Sequence, residues 1–418
     1  MRIGFISTRL NGTDGVSLET GKWAQVFQRL GHDPYYAAGE LGGYAQGGTL
    51  IPQLHFNHPS IAALTRRAFG EDQPGNDPRS SEQLTADINA AAAELHDPLY
   101  RFIQENRLNL IVIQNALAIP MNLPLGVCLG ELIVEVGMPV IAHHHDFYWE
   151  RSRYQATTIP ELLDAYFPPD LPGIRHVTIN SIAQQRLKAR RGLDSCVVPN
   201  VFDFTSPAPG VDAYNRDFRQ AIGLSDRHLF VLQPTRVIPR KGIELSIELL
   251  SRMHIPGARL VITHAAGDEG LAYWNWLQRE ARQMGVDLRL IDQLIGDVRQ
   301  QTGGHKVYSL WDAYPHADLV TYPSLYEGFG NALLETIYFR RLAVINRYPV
   351  YNADLGPLGF SFIELDGFVD DASLERLRQL LHEPEEVQRM VDHNFAIAQE
   401  HFSLQVLERK LKEILASF

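Results

Sequence analysis

The chain has 418 residues, of which 45% are apolar and 21% charged, and carries a net charge of −11. That length exceeds one typical core, so two domains of an ordinary globular kind are expected. The acidic balance argues against nucleic acid as a partner and against a basic membrane-docking face.

The first ten residues carry no long hydrophobic segment of the signal-peptide kind and run directly into a strand pattern at residues 3–7. Residues 11–17 form a turn containing Gly12 and Gly15, and a helix follows over 18–30. A glycine turn entering a helix leaves backbone N–H groups facing an anion. There is no G-x-G-x-x-G and no P-loop signature, which disfavours dinucleotide and ATP sites. Gly31-His32-Asp33 closes the helix. Residues 39–79, rich in Gly, Pro, Asn and His, read as a loop-and-helix insertion. Acidic residues outweigh basic ones around it, and no basic amphipathic helix suggests a lipid acceptor.

Residues 108–130 contain no charge and are long enough to mimic a membrane span, but Gln114, Asn115, Pro120, Asn122 and Pro124 interrupt them. A buried strand, a loop and the start of a helix fit better. Strand patterns recur at 110–114, 140–145, 176–180 and 195–198, with helical patterns at 86–105, 125–136 and 182–190 between them. A turn-rich linker follows Asn200. A second alternating set has strands at 229–233, 259–263, 288–291, 319–322 and 343–346, and helices at 242–253 and 271–284. The expected fold is α/β, two doubly wound parallel sheets in tandem, divided as 1–203 and 204–402, with ligands at the carboxyl ends of strands. Cys128 and Cys196 both lie in apolar sequence and read as buried reduced thiols of a cytoplasmic protein.

Four stretches carry candidate chemistry. The strand at 140–145 ends in His143-His144-His145-Asp146, with His143 and His145 on one face and His144 on the other. Three adjacent histidines on a strand rarely converge on one metal ion, and a structural strand-end role is the alternative. Just beyond, Arg151 and Arg153 beside Trp149 and Tyr154 could capture a carboxylate or phosphate between aromatic walls, unless they pair with Glu150, Glu161 or Asp164. Gln233-Pro234-Thr235-Arg236 and Lys241-Gly242 follow a strand and open a helix, placing two cations where phosphate oxygens could be held. Last, residues 322–335 run from a strand through Glu327, Gly328, Phe329 and Gly330 into a helix at Asn331, with Glu335 one turn inside. Donors for an anion flanked by carboxylates that accept from hydroxyls describe a nucleotide-sugar site. An ordinary strand-to-helix turn with two solvated glutamates is the alternative.

Glu327 and Glu335 with seven residues between them, Arg236 and Lys241 roughly 85 residues earlier, His145-Asp146, and Pro199-Asn200 with Asp203 together resemble the retaining glycosyltransferases of family 4. The resemblance covers nearly the whole chain. It implies the GT-B fold, two Rossmann-like domains facing across a cleft, with a C-terminal helix in 403–418 returning to the first domain. It also implies a UDP- or GDP-linked sugar as donor, no cofactor and no metal. Arg236, Lys241 and the backbone of Gly328, Phe329, Gly330 and Asn331 would hold the departing diphosphate, which the Gly15 loop would approach. Glu335 would hold the ribose, and Glu327 and His145 hydroxyls of the donor sugar. His144, Asp146, Arg151 and Arg153 are the acceptor candidates. The expected reaction moves a hexose, with retention, to a small soluble acceptor of glycerate or sugar-phosphate type. A GT-B epimerase or phosphorylase and a non-catalytic sugar-nucleotide binder are the rivals. Two departures stand out: Thr235 where the family has glycine, and Phe339-Arg340-Arg341-Leu342 where it has a small residue and Gly-x-Pro.

Overall fold

The computed structural model describes all residues except 13, 45–46, 71–77, 268 and 304, so part of the acidic run near the 39–79 insertion lies outside the described residues. The chain divides into two compact units, Met1–Val201 with Leu404–Phe418, and Phe202–Ser403.

The first unit is built on seven strands: β1 (Arg2–Ile6), β2 (Asp33–Ala38), β3 (Gly48–Leu50), β4 (Leu110–Gln114), β5 (Val140–His144), β6 (Ile174–Thr178) and β7 (Ser195–Val197). All pair in parallel in the order β3-β2-β1-β4-β5-β6-β7. The central strands are apolar in their middles because helices cover both faces. Successive residues therefore serve two cores. Ile111 and Ile113 join the cluster under the helices Pro78–Glu105 and Leu123–Val136. Leu110 and Val112 join the cluster with Trp23 and Phe27 of the helix Gly15–Arg29 and Leu407 and Leu411 of the helix Leu404–Ala416. The uncharged stretch 108–130 is β4 followed by a helix that Asn122 caps, its Oδ1 accepting from Leu125 N at 3.0 Å. Among the described residues no helix is long and apolar enough to cross a membrane.

The second unit has β8 (Phe230–Gln233), β9 (Arg259–Ile262), β10 (Asp287–Leu290), β11 (Ile295–Gly296), β12 (Gln300–Thr302), β13 (His305–Ser309), β14 (Leu319–Tyr322), β15 (Ala343–Asn346) and β16 (Ile363–Leu365). Six form a parallel sheet in the order β10-β9-β8-β14-β15-β16, and β11, β13 and β12 make a separate small sheet. The order turns back between β8 and β14, so the loops leaving those two strands are neighbours. The same reversal lies between β1 and β4 in the first unit.

Several elements escape the sequence patterns. β2 opens on Asp33-Pro34, which reads as a turn, yet β3 pairs with β2 only from Tyr36 onward. Pro34 therefore sits where β2 is an edge, which tolerates proline. Cys196 is exposed, contrary to its apolar sequence neighbourhood, because the three-residue β7 is the edge of the sheet. Cys128 is buried, and burial pushes its thiol up to about 12. Arg340 takes φ 49° at the turn after the helix Asn331–Tyr338, a conformation that usually favours glycine. An ion pair to Asp392 at 2.8 Å and stacking over Phe395 at 3.7 Å hold it there.

Candidate functional site

In the second unit, β8 ends at Gln233, whose buried side chain fixes the loop beyond it. Its Nε2 donates to Thr235 Oγ1 at 2.8 Å, and its Oε1 accepts from Ser246 at 3.1 Å and Thr321 at 2.8 Å. Thr235 thus replaces glycine with a hydroxyl that satisfies a buried amide. The chain then makes a single turn at Pro239–Lys241 and passes through Gly242 at φ 58°. A Cβ there would stand 2.5 Å from the Pro323 carbonyl oxygen, so close approach to the β14 loop requires glycine as well. Leu325 N donates to Arg240 O at 2.8 Å, lacing the two loops together.

This lacing brings Arg240, Lys241 and Glu327 into one cluster. Lys241 Nζ donates to Glu327 Oε1, and Arg240 Nη1 donates to Oε2 at 2.9 Å and to Tyr326 O at 3.0 Å. Lys241 is 8% exposed and held against the carboxylate. Glu327 is likewise buried, each oxygen carrying its own cation. Burial alone would raise its carboxyl, but the Lys241 and Arg240 cations, with the hydrogen bond from Lys241, hold it down at about 2. Burial pulls the Lys241 ammonium below its ordinary value, Glu327 opposes that, and Arg240 and Arg236 add to it. Arg236 is exposed. Arg240 was not among the sequence candidates, although it directly precedes Lys241.

The glycine loop leads from Glu327 into the helix Asn331–Tyr338, which has Gly330 at its N-cap and no side-chain cap. Gly330 takes φ 131°, and a Cβ would stand 2.6 Å from the Tyr348 hydroxyl, which donates to Phe329 O at 2.7 Å. The Phe329 ring is buried and packs edge-on against Phe402 at 5.3 Å, which leaves the backbone as the part of this residue suited to a ligand. Glu335 is half-buried and accepts from the Tyr314 hydroxyl at 3.2 Å. Burial holds the Tyr314 phenol well above its ordinary value, so it remains a donor.

In the first unit, β4 and β5 end in a second polar cluster. His143 and His145 lie on one face with ring centroids 4.4 Å apart, and their Nδ1 and Nε2 share the Gln114 Oε1 at 3.0 and 3.1 Å. Trp23 stacks on His143 at 4.3 Å. His144 points to the other face, is 1% exposed, and meets His176 at 2.9 Å. The sheet interior encloses it, which removes it from the acceptor candidates. Asn115, at φ 60°, accepts from His145 N at 3.0 Å and donates to Asp146 at 3.0 Å. Arg151 Nε donates to the other Asp146 oxygen at 2.6 Å. Glu150 and Asp164 instead pair with Arg186 and Arg191 at 2.7 Å each. Arg153 is exposed and lies 4.5 Å over Tyr154. The aromatic walls expected there are absent, because Trp149 and Tyr154 are 8% and 2% exposed and belong to a core cluster. Gln114 and Asn115 were missed; two amides closing an otherwise apolar strand were the available signal.

The helix Gly15–Arg29 does not begin with open donors on Val16 and Ser17. Asp14 Oδ1 accepts from both N–H groups at 3.1 Å, and Arg9 pairs with Asp14 at 3.2 Å. A negative cap thus occupies the positive helix end beside Gly15. Among the described residues no group of three His, Cys, Asp or Glu side chains is placed to hold a metal ion.

Burial holds His145 and His176 down at about 4, each against nearby aspartates that push the other way, Asp146 and Asp170 respectively. Both imidazoles are neutral at neutral pH. Because the folded value lies below the unfolded 6.5, their contribution to stability is complete above pH 6.5 and is lost as pH falls toward 4. For a group as buried as His176 that amounts to about 3 kcal/mol. Melting temperature should fall across this window, and less so in His176→Asn. An equal fall in both would remove His176 as its source.

Comparison with known proteins bears on the whole chain. The family model described as glycosyl transferases group 1 matches residues 215–395. The mannosylglucosylglycerate synthase of Petrotoga mobilis is 33% identical over 385 residues, covering 87% of this chain and 86% of that protein. The enzyme of the same name from Thermotoga maritima is 33% identical over 449 aligned positions, covering 99% and 100%. Among solved structures, Anabaena HepE in complex with UDP-glucose superposes with TM-score 0.66 at 14% identity over all of both chains. A glycosyltransferase from Rickettsia africae gives TM-score 0.68 at 12% identity, over 99% of this chain and 98% of that one. At such identities the structures speak for the fold, which is GT-B, and the two synthases speak for the family. The chain belongs to the group 1 glycosyltransferases.

Proposed function

We propose that the protein transfers a mannosyl group, with retention, from a nucleoside diphosphate sugar to a glycerate-containing acceptor such as glucosylglycerate. The observation that carries this reading is the Lys241–Glu327–Arg240 cluster at the carboxyl ends of β8 and β14, beside a helix that opens on glycine. As the glycosidic bond breaks, negative charge grows on the diphosphate. Lys241, Arg236 and the backbone from Gly328 to Asn331 would stabilise it, being in place before the charge develops. Glu335 would accept from ribose hydroxyls, and Glu327 would bind a hydroxyl of the donor sugar. The leaving phosphate would take the acceptor's proton, with no metal required. The relatives' name supports the glycerate acceptor. In the first unit, Arg151 with Asp146 and the exposed Arg153 would receive its carboxylate, an arginine matching that group with two parallel hydrogen bonds.

Two experiments test this. Melting curves with UDP- and GDP-linked hexoses should show one ligand that adds about 2.7 kcal/mol at 100 times its dissociation constant, with EDTA changing nothing. Stabilisation by none of them removes the donor assignment. Arg151→Ala and Arg153→Ala should raise the KM for an anionic acceptor but not for its neutral amide analogue. Equal use of both compounds, with KM unchanged in either variant, removes the acceptor assignment.

A further inference from the structure

Arg240 and Lys241 are consecutive, yet both reach the same carboxylate. The single turn at Pro239–Lys241 sends Lys241 to Glu327 Oε1 from inside, where Lys241 is 10% exposed by side chain. Arg240 approaches Oε2 from the rim, at 2.9 Å, with its side chain 36% exposed. The same Nη1 also donates to Tyr326 O at 3.0 Å, and Arg240 O accepts from Leu325 N at 2.8 Å. Arg240 is therefore anchored to the β14 loop at two points besides the carboxylate. Lys241 has the flexible stem of a side chain that can turn.

This arrangement bears on an energetic difficulty in the donor reading above, on which the inference rests. If Lys241 turns to the diphosphate, a buried Glu327 loses a partner. A buried carboxylate stripped of its only cation is strongly disfavoured. A lone lysine would therefore be held back from the donor by its own carboxylate. We propose that Arg240 is a positioning residue that keeps Glu327 ionised and fixed, so that Lys241 can exchange the carboxylate for the donor's diphosphate. The cluster then holds two cations for one carboxylate at rest, and the incoming phosphate supplies the missing anion. That Arg240 and Lys241 both hold the Glu327 carboxyl low agrees with this count.

The test compares Arg240→Ala and Arg240→Lys with wild type, using GDP-mannose as donor. Arg240→Ala should raise the donor KM about tenfold, with a smaller change in kcat, because Lys241 is then retained by Glu327. The acid limb of kcat/KM should move to higher pH by about one unit, since Glu327 loses a charge that keeps it ionised. Arg240→Lys should restore most of both. A merely structural Arg240 would lower the melting temperature without moving the acid limb. Either that result, or a donor KM within twofold of wild type in Arg240→Ala, overturns the proposal. Wild-type donor affinity in Lys241→Ala alone would instead overturn the donor reading itself, so the two failures are separable.

Discussion

Lys241→Ala is expected to lower turnover about 100- to 1000-fold, the usual loss when one preorganised donor to a developing charge is removed. The fold should survive, because Glu327 keeps Arg240 at 2.9 Å after the lysine is gone. Arg236→Ala should act in the same direction. Arg236 is exposed while Lys241 is buried, so Lys241 works in the lower dielectric and should show the larger effect. Steady-state rates with saturating donor, alongside melting temperatures, measure both. Wild-type turnover in the two variants, with unchanged donor affinity, would remove the diphosphate from this cluster.

Glu327→Ala should be the most damaging carboxylate change, because it harms folding as well as transfer. It leaves the Lys241 ammonium buried without its carboxylate, and breaking a buried pair from one side costs about 3–5 kcal/mol. Glu327→Gln keeps the volume and a hydrogen-bond acceptor, so it should unfold less readily than the alanine variant while still transferring slowly. The pH dependence separates the charge from the shape. Wild-type Glu327 titrates near 2 in place of 4.5, so its stabilising contribution is present above pH 4.5 and is lost as pH falls toward 2. Glu327→Gln should lack that loss. Glu335→Ala, by contrast, removes the acceptor for Tyr314 at 3.2 Å and should raise donor KM with little loss of stability. If Glu327→Ala melts and reacts like wild type, the paired carboxylate has no role.

Much of the fold was legible because parallel strands buried on both faces write themselves as apolar runs. β4, β14 and β15 coincide with the runs at 110–114, 319–322 and 343–346. What stayed hidden depends on partners distant in sequence. β2 has a proline as its second residue, β16 has three residues, and the small sheet β11–β13 is held by side chains such as Tyr214, which donates to Gln300 O and Val307 O at 2.8 Å. The site was legible as a set of residue types but not as a set of contacts. Spacing singled out Lys241 and Glu327, whereas their mutual pairing and the presence of Arg240 follow only from the lacing of two loops 86 residues apart. The opposite error occurred at Trp149 and Tyr154. Aromatics beside arginines suggested a sugar platform, but the same residues fill a core with Phe147 and Leu187. Asp14 shows a third kind of limit. A glycine turn before a helix suggests an anion site, and the residue preceding that glycine is the aspartate that caps the helix.

The proposed reaction joins a mannosyl group from a nucleoside diphosphate sugar to a glycerate-containing acceptor with retention. Incubating the purified protein with GDP-mannose or UDP-glucose and glucosylglycerate, then determining the product's anomeric configuration by NMR, tests it most directly. The predicted result is a single new α-linked glycoside formed in step with release of the nucleoside diphosphate, and lost in Lys241→Ala. A β-linked product, or binding of the nucleotide sugar with neither transfer nor hydrolysis, would contradict it.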